Sequence, residues 1–148
     1  MTMAELMYLG WDIGGAHLKV AYTDLHGVVS QVEQHATPLW QGLDNLRSKL
    51  SEIGKRLPDA QLVHILTTTG ELSDVFADRE QGIDVLLSEF CNVILNGEIL
   101  VYGGSAGLLS TEEARRQYQK VASANWHATA SYIATQLDDC VLIDMGST

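Results

Sequence analysis

The chain is poor in basic residues and has no long apolar run, and each shortage excludes a class of protein. Lysine and arginine number 9 against 19 aspartates and glutamates in 148 residues, giving a formal net charge of −10. Such an acidic chain repels nucleic acid and anionic membranes, so we expect neither as a partner. No run reaches the roughly 18 apolar residues of a membrane span, and residues 1–6 lack the features of a secretory signal. We therefore expect a cytoplasmic protein.

Common catalytic and metal-binding motifs are also missing. The 5 histidines and 2 cysteines show no zinc-ligand spacing. There is no Gly-x-Ser-x-Gly turn and no Gly-x-x-x-x-Gly-Lys-Ser/Thr loop, which argues against a hydrolase triad and a Walker-type nucleotide site. We interpret Cys91 and Cys140, which lie far apart beside apolar runs, as buried free thiols rather than a disulfide.

A hydrophobic content of 46% supports one folded domain with a sizeable core. Three strand-like segments joined by tight turns precede an alternation of helices and strands, which predicts a meander followed by parallel crossovers. We expect an α/β fold, a ribonuclease-H-like mixed sheet with flanking helices on both faces. The predicted elements are strands at 6–11, 17–23 and 28–34, a helix at 43–57, a strand at 62–66, a helix at 79–90, a hairpin at 92–102, a capping box at 110–113, a helix at 125–137 and a closing strand at 140–144.

A glycine turn follows the first predicted strand. Asp12 stands at the strand end, and Gly14 and Gly15 come directly after it. A carboxylate in this position can hold a magnesium ion through water, and glycines let backbone N–H groups approach phosphate oxygens. We interpret the turn as a phosphate site, with a simple hairpin cap as the alternative. Lys19 in the next strand is either a phosphate contact or a solvated lysine.

A second turn of the same kind closes the chain. Asp144 ends an apolar segment and is followed by Gly146, Ser147 and Thr148. The two turns lie about 130 residues apart, roughly one domain's length. This repetition is stronger evidence than either turn alone, so we predict Asp12 and Asp144 as the magnesium-holding pair and the glycine, serine and threonine as phosphate contacts.

Hydroxyl and carboxylate side chains follow the predicted strand at 62–66. Carboxyl ends of strands form the usual ligand side of an open α/β sheet. Thr68 and Thr69 are therefore candidate substrate contacts and Glu71 a candidate catalytic base, with a strand end and a helix cap as the alternative. Asn125, which opens a predicted helix, is a further candidate substrate contact. We expect the strand ending at Asp12 to lie parallel to this one, which would bring both groups to one edge.

The meander, the two aspartate–glycine turns and the crossovers resemble the superfamily of sugar kinases, heat-shock ATPases, actin and hydantoinase/oxoprolinase proteins. That resemblance implies two domains that clamp a magnesium nucleotide, with one phosphate turn from each. It also implies that 140–148 contains the first strand of a second domain, after an N-terminal domain with a possible insertion at 91–110.

Four stretches resemble more narrowly the hydantoinase/oxoprolinase-like proteins of tetrahydromethanopterin-linked one-carbon transfer; they are 11–19, 68–76, 79–82 and 124–126. Archaeal members of this branch resemble the synthase that builds the methanofuran core. The resemblance implies a transferase in which a phenol oxygen attacks a furfuryl carbon and diphosphate leaves. It implies Mg²⁺ as cofactor, Asp12 as a catalytic and metal-holding residue, and Glu71 as the base.

The sequence is also compatible with two other functions. One is an ATP-dependent kinase or hydrolase with the same clamp and ATP as cofactor, and the other is a non-catalytic half-domain. We expect a small-molecule phosphate or diphosphate substrate. We also expect the isolated chain to be inactive, and its apolar surface to be covered in a homo-oligomer or by a second domain.

Overall fold

The computed structural model describes residues 6–145 and is built around a six-stranded mixed sheet. Its spatial order is β3-β2-β1-β4-β5-β6. β1 pairs antiparallel with β2 and parallel with β4, which confirms the meander, the predicted parallel neighbour and the ribonuclease-H-like fold class. The strands are β1 (Leu6–Ile13), β2 (His17–Thr23), β3 (Val29–Ala36), β4 (Gln61–Thr68), β5 (Glu98–Tyr102) and β6 (Leu108–Ser110).

Five α-helices accompany this sheet in the described residues; they are α1 (Asp44–Gly54), α2 (Arg79–Val93), α3 (Thr111–Arg116), α4 (Tyr118–Val121) and α5 (Asn125–Ala134). The capping box predicted before α3 is present, because the side chains of Ser110 and Glu113 each bond the other's backbone N–H. The core joins alternate residues of the strands to one stripe of each long helix. It includes Leu9, Trp11 and Ile13 of β1, Leu46, Leu50 and Ile53 of α1, and Ile83, Leu86, Leu87 and Phe90 of α2.

Helices on both faces of the sheet were expected, and this prediction is wrong for the described residues. The buried residues of α1 and α2 belong to one cluster on one face, while Tyr8 and Val32 on the opposite face remain 39% and 67% exposed. The order of the strands explains the difference. The crossovers from β3 to β4 and from β4 to β5 both advance in the same direction across the sheet. Right-handed crossovers of that kind place their helices on the same side.

The hairpin predicted over 92–102 is also wrong. Helix α2 continues to Val93, and β5 pairs in parallel with β4 instead of folding back on the preceding segment. The glycine of the Asn-Gly pair has another purpose. Gly97 has φ +111°, and a Cβ there would lie 2.6 Å from the carbonyl oxygen of Leu62, so close approach to β4 requires glycine. The stretch 91–110, considered as an insertion, supplies β5 and β6 of the sheet.

The last described residues differ from the prediction as well. Residues 140–144 have no regular secondary structure and are exposed, because nothing in the described chain pairs with them. Their assignment to a second domain stays a prediction. Both cysteines are free, as expected, but Cys140 is exposed rather than buried. Within 6–145, no helix combines the length and the apolar character that crossing a bilayer requires.

Candidate functional site

A polar cavity of about 410 Å³ lies at the carboxyl edge of β1 and β4. The glycine turn after β1, the segment after β4, the start of α5 and the exposed end of the described chain all border it. Most of the residues predicted as site residues lie in its wall, namely Asp12, Gly14, Gly15, Lys19, Thr69, Asn125 and Asp144. The structure thus brings together groups that are up to 132 positions apart (144 − 12) in the chain.

Asp12 is held by the two strands that flank β1. In the sheet register it stands opposite Lys19 of β2 and Thr67 of β4. The Lys19 ammonium lies 3.0 Å from one carboxylate oxygen, and the Thr67 hydroxyl lies 3.3 Å from the other. The side chain is 22% exposed, so Asp12 presents a charged, solvent-accessible carboxylate to the cavity.

The glycine turn after Asp12 is fixed by backbone hydrogen bonds. The Gly14 N–H donates to the His17 carbonyl at 2.9 Å, and the Gly15 carbonyl accepts from the Leu39 N–H at 2.8 Å. A Cβ on Gly14 would lie 3.1 Å from the His17 carbonyl oxygen, tighter than most side-chain contacts. The turn is therefore closed and preorganised, and glycine is the residue that fits it.

Thr68 and Glu71 lie behind the cavity wall instead of in it. The Thr68 hydroxyl is 2.9 Å from the Ile13 carbonyl and accepts the Gly70 N–H at 3.0 Å, which ties β4 to β1. Glu71 is only 2% exposed, and its two carboxyl oxygens face the hydroxyls of Thr68 and Ser123. Burial raises the pKa of the Glu71 carboxyl, against hydrogen bonds from the backbone, Ser123 and Thr68 that lower it.

Ser123 is a cavity residue that the sequence analysis missed. It lies between α4 and α5, lines the cavity, and donates a hydrogen bond of 2.9 Å to Glu71. Its φ of 57° places it in the left-handed region, the one described non-glycine residue with a positive φ. Such a conformation costs on the order of 1–3 kcal/mol and is concentrated at functional sites. A serine between two alanines gives no sequence signal for this role.

Of the remaining predicted contacts, some line the cavity and the others lie outside the described residues. Asn125 lines the cavity at the start of α5, with its side-chain oxygen accepting the Trp126 N–H at 2.7 Å. Asp144 lines the same cavity. Gly146, Ser147 and Thr148 lie outside the described residues.

The donor set fits a magnesium ion that is held partly by substrate. The described residues contain no group of three or more side chains arranged to bind a metal. Asp12 and Asp144 nevertheless bring two carboxylates to one polar cavity. Magnesium is bound by one or two carboxylates together with water and substrate phosphates, so two aspartates beside a glycine turn are a suitable set.

Comparison with known proteins gives one family match and one close sequence relative. The profile of the hydantoinase/oxoprolinase family matches residues 63–148. The chain is 31% identical over 145 residues to (4-{4-[2-(gamma-L-glutamylamino)ethyl]phenoxymethyl}furan-2-yl)methanamine synthase of Methanocaldococcus jannaschii. That alignment covers 97% of this chain and 42% of the synthase, so the chain spans less than half the length of this relative.

The solved structures that match this chain include two proteins of low sequence identity. A Ppx/GppA family member from Aquifex aeolicus is 14% identical, with a TM-score of 0.39 over 66% of this chain and 36% of that protein. A putative sugar kinase from Cytophaga hutchinsonii is 22% identical, with a TM-score of 0.39 over 68% of this chain and 37% of that protein.

Proposed function

The chain belongs to the hydantoinase/oxoprolinase family, and from this membership we propose that it forms part of a transferase of methanofuran-type cofactor biosynthesis. The proposed reaction joins a furfuryl diphosphate to a phenol and releases diphosphate. One observation carries the proposal: a glycine turn and two aspartates meet in a polar cavity of about 410 Å³, a site suited to a magnesium diphosphate. The name of the 31% identical synthase, whose product is a phenoxymethylfuran, supports the choice of substrates.

The diphosphate group would be held by the turn after β1. The backbone N–H of Gly15 would face its oxygens, while the Gly14 N–H keeps the turn closed on the His17 carbonyl, and Lys19 would move from Asp12 to the phosphate. Gly146, Ser147 and Thr148 would supply the matching contacts from the second turn. Asp12 and Asp144 would hold magnesium, which when bound offsets the negative charge of a departing diphosphate.

The phenol would enter the same cavity along its other wall. Thr69 and Asn125 provide hydrogen-bonding groups there and would orient the acceptor. The phenol oxygen forms a C–O bond to the furfuryl carbon while the bond from that carbon to diphosphate breaks, and the diphosphate leaves with the bonding electron pair. Glu71, predicted as the base, reaches the cavity only through Ser123, so we assign the phenol proton to the departing diphosphate.

Full-length protein tests this proposal, because this chain spans 42% of its relative. We expect a furfuryl diphosphate and a tyramine-type phenol to yield the aryl ether and diphosphate in equal amounts, with magnesium and without ATP. Mass spectrometry detects the ether, and a coupled assay detects diphosphate. ATP turnover without ether formation would instead support the kinase or hydrolase alternative, and the absence of both reactions would support a non-catalytic role.

A further inference from the structure

A serine that lines two cavities is hydrogen-bonded to a buried carboxyl group. Ser123 lines the 410 Å³ cavity and also a smaller one of about 190 Å³ beside the Gly103–Gly104 loop. Its hydroxyl donates to one oxygen of Glu71 at 2.9 Å. Glu71 itself lines neither cavity. Ser123 is thus the link between a buried acid and the candidate site.

The hydrogen bonds of the Thr68 hydroxyl indicate which oxygen of Glu71 carries the carboxyl proton. Thr68 has a single hydroxyl proton, and two oxygens compete for it: the Ile13 carbonyl at 2.9 Å and the second Glu71 oxygen at 3.3 Å. The shorter bond goes to the carbonyl. The same hydroxyl accepts from Gly70, which leaves one lone pair facing Glu71. A protonated Glu71 donates to that lone pair, and a hydrogen-bonded chain runs from Glu71 through Thr68 to Ile13.

In the described residues, Glu71 has hydrogen-bond donors around it but no cation. Within residues 6–145 no lysine, arginine or histidine forms an ion pair with it, and its hydrogen-bond partners are the hydroxyls of Thr68 and Ser123 and the backbone N–H groups of Glu71 and Ser123. On its helical side it packs against Gly82 of α2, which brings no titratable group. Burial outweighs these uncharged partners, and a carboxylate buried without a cation is costly, so the neutral carboxyl is favoured.

The position of this carboxyl group is narrowly fixed. A Cβ on Gly82 would lie 2.8 Å from both the Cα and the Cβ of Glu71. A Cβ on Gly70, the preceding residue, would lie 2.8 Å from the Leu39 side chain and 3.1 Å from the Ile13 carbonyl oxygen. Gly82 and Gly70 therefore let the Gly70–Leu72 turn pack directly against α2 and β1. As a result, Glu71 is a rigid hydrogen-bond acceptor for Ser123.

We propose that Glu71 is a positioning residue: it keeps its proton on the oxygen facing Thr68 and with its other oxygen holds the Ser123 hydroxyl at the cavity wall, where the Ser123 oxygen, whose proton goes to Glu71, accepts a hydrogen bond from the hydrated ligand. The left-handed backbone at Ser123 turns this hydroxyl between the acid and the cavity. The identity of the ligand, a magnesium-bound diphosphate, rests on the proposed function. The protonated state of Glu71 does not.

Stability as a function of pH tests the protonated state without any ligand. The unfolded chain ionises Glu71 as the pH rises through its ordinary value of 4.5, whereas the folded chain keeps the proton because its pKa is raised. Wild type therefore loses stability relative to Glu71→Gln as the pH rises above 4.5 towards the folded pKa, since glutamine has no proton to lose. We expect the melting temperature of Glu71→Gln minus that of wild type to grow over this window. A difference that is constant or falls would overturn the protonated state.

Binding of magnesium pyrophosphate to the 148-residue chain, measured by calorimetry, tests the contact. Ser123→Ala should weaken binding by about tenfold, the value of one ligand hydrogen bond. Glu71→Gln should stay within about threefold of wild type, because the amide donates to Thr68 and its carbonyl accepts from Ser123. Ser105→Ala is the matched control, because Ser105 lines only the smaller cavity and should leave the dissociation constant unchanged.

Each outcome of the binding experiment decides a separate point. Wild-type affinity in Ser123→Ala would overturn the ligand contact. Binding lost in Glu71→Gln as strongly as in Ser123→Ala would show that the charge of Glu71 is needed and would overturn the positioning role. If the wild-type chain does not bind magnesium pyrophosphate, the Ser123 contact fails, while the pH series still decides the state of Glu71 and the full-length assay decides the proposed function.

Discussion

β1 and β4 end at the same edge of the sheet, where Asp12 near the end of β1 and Glu71 in the turn after β4 carry carboxyl groups in different environments. Asp12 is 22% exposed, paired with Lys19 at 3.0 Å, and borders the cavity. Glu71 is 2% exposed and faces two hydroxyls. The first environment suits a charged group that meets a ligand, and the second suits a neutral group that holds its neighbours. Two carboxyl groups at the same edge of the sheet can therefore differ in whether they reach the cavity.

The strongest test of this contrast is Asp12→Asn in full-length protein. The amide keeps an oxygen for Thr67 but removes the charge that would hold magnesium. We expect diphosphate release to fall by about 100-fold or more, in line with the loss of one group that stabilises transition-state charge. The free energy of unfolding should change by less than about 1 kcal/mol, because the pair with Lys19 is partly exposed. Turnover assays and urea titration measure the two effects.

Asp24 provides the matched control for this experiment. It lies in the turn between β2 and β3, where its carboxylate accepts the N–H groups of His26 and Val28, and these bonds lower its pKa. Asp24→Ala should lower the melting temperature and leave turnover unchanged. Near-normal turnover in Asp12→Asn at saturating magnesium would mean that Asp12, like Asp24, only closes a turn.

Gly82→Ala tests whether the buried environment of Glu71 depends on its close packing against α2. The new methyl group would lie 2.8 Å from the backbone of Glu71, and overpacking of this kind costs about 1–3 kcal/mol. Gly54→Ala is the control at the end of the neighbouring helix α1, because its nearest contact is an ordinary 3.4 Å and the added methyl group should cost little. Chemical denaturation measures both. Equal effects of the two substitutions would show that the Gly70–Leu72 turn is loosely packed.

A smaller effect is expected from the backbone at Ser123. Ser123→Gly and Ser123→Ala both remove the hydroxyl, but glycine alone relieves the positive φ of 57°. The glycine variant should therefore be more stable than the alanine variant by about 1 kcal/mol, although glycine gains entropy in the unfolded state. Thermal unfolding of the two proteins measures the difference. A glycine variant that is no more stable than the alanine variant would remove the argument from strain.

Much of the sheet could be predicted because its signals are local. The meander follows from short strands with tight turns, and the pairing of β1 with β4 follows from two apolar runs that both need a central position. The Asn96–Gly97 pair was misleading, because an Asn-Gly turn predicts a hairpin while Gly97 here serves the approach to Leu62. A tertiary contact of that kind leaves no trace in local sequence.

The sequence was enough to predict which edge of the sheet carries the site. It was not enough to predict which side chains point into the cavity. Parallel pairing of β1 and β4 was enough to bring Asp12 and Thr69 to one cavity. Alternation along β4 sends Thr67 and Thr68 to opposite faces, so Thr68 turns into the core. Whether Glu71 reaches the cavity depends on how α2 packs against the turn that contains it. Whether Ser123 reaches the cavity depends on the conformation of the loop between α4 and α5. Neither can be inferred from spacing.

The most direct test of the account is an amide-resolved NMR titration of the 148-residue chain with magnesium pyrophosphate. If the turn after β1 is a phosphate site, the largest shifts will occur at Gly14, Gly15 and Thr69, and Asp12→Asn will abolish them. Shifts that persist unchanged in Asp12→Asn, or that are confined to the groove between α1 and residues 93–96, would contradict the assignment of the phosphate site to this edge of the sheet.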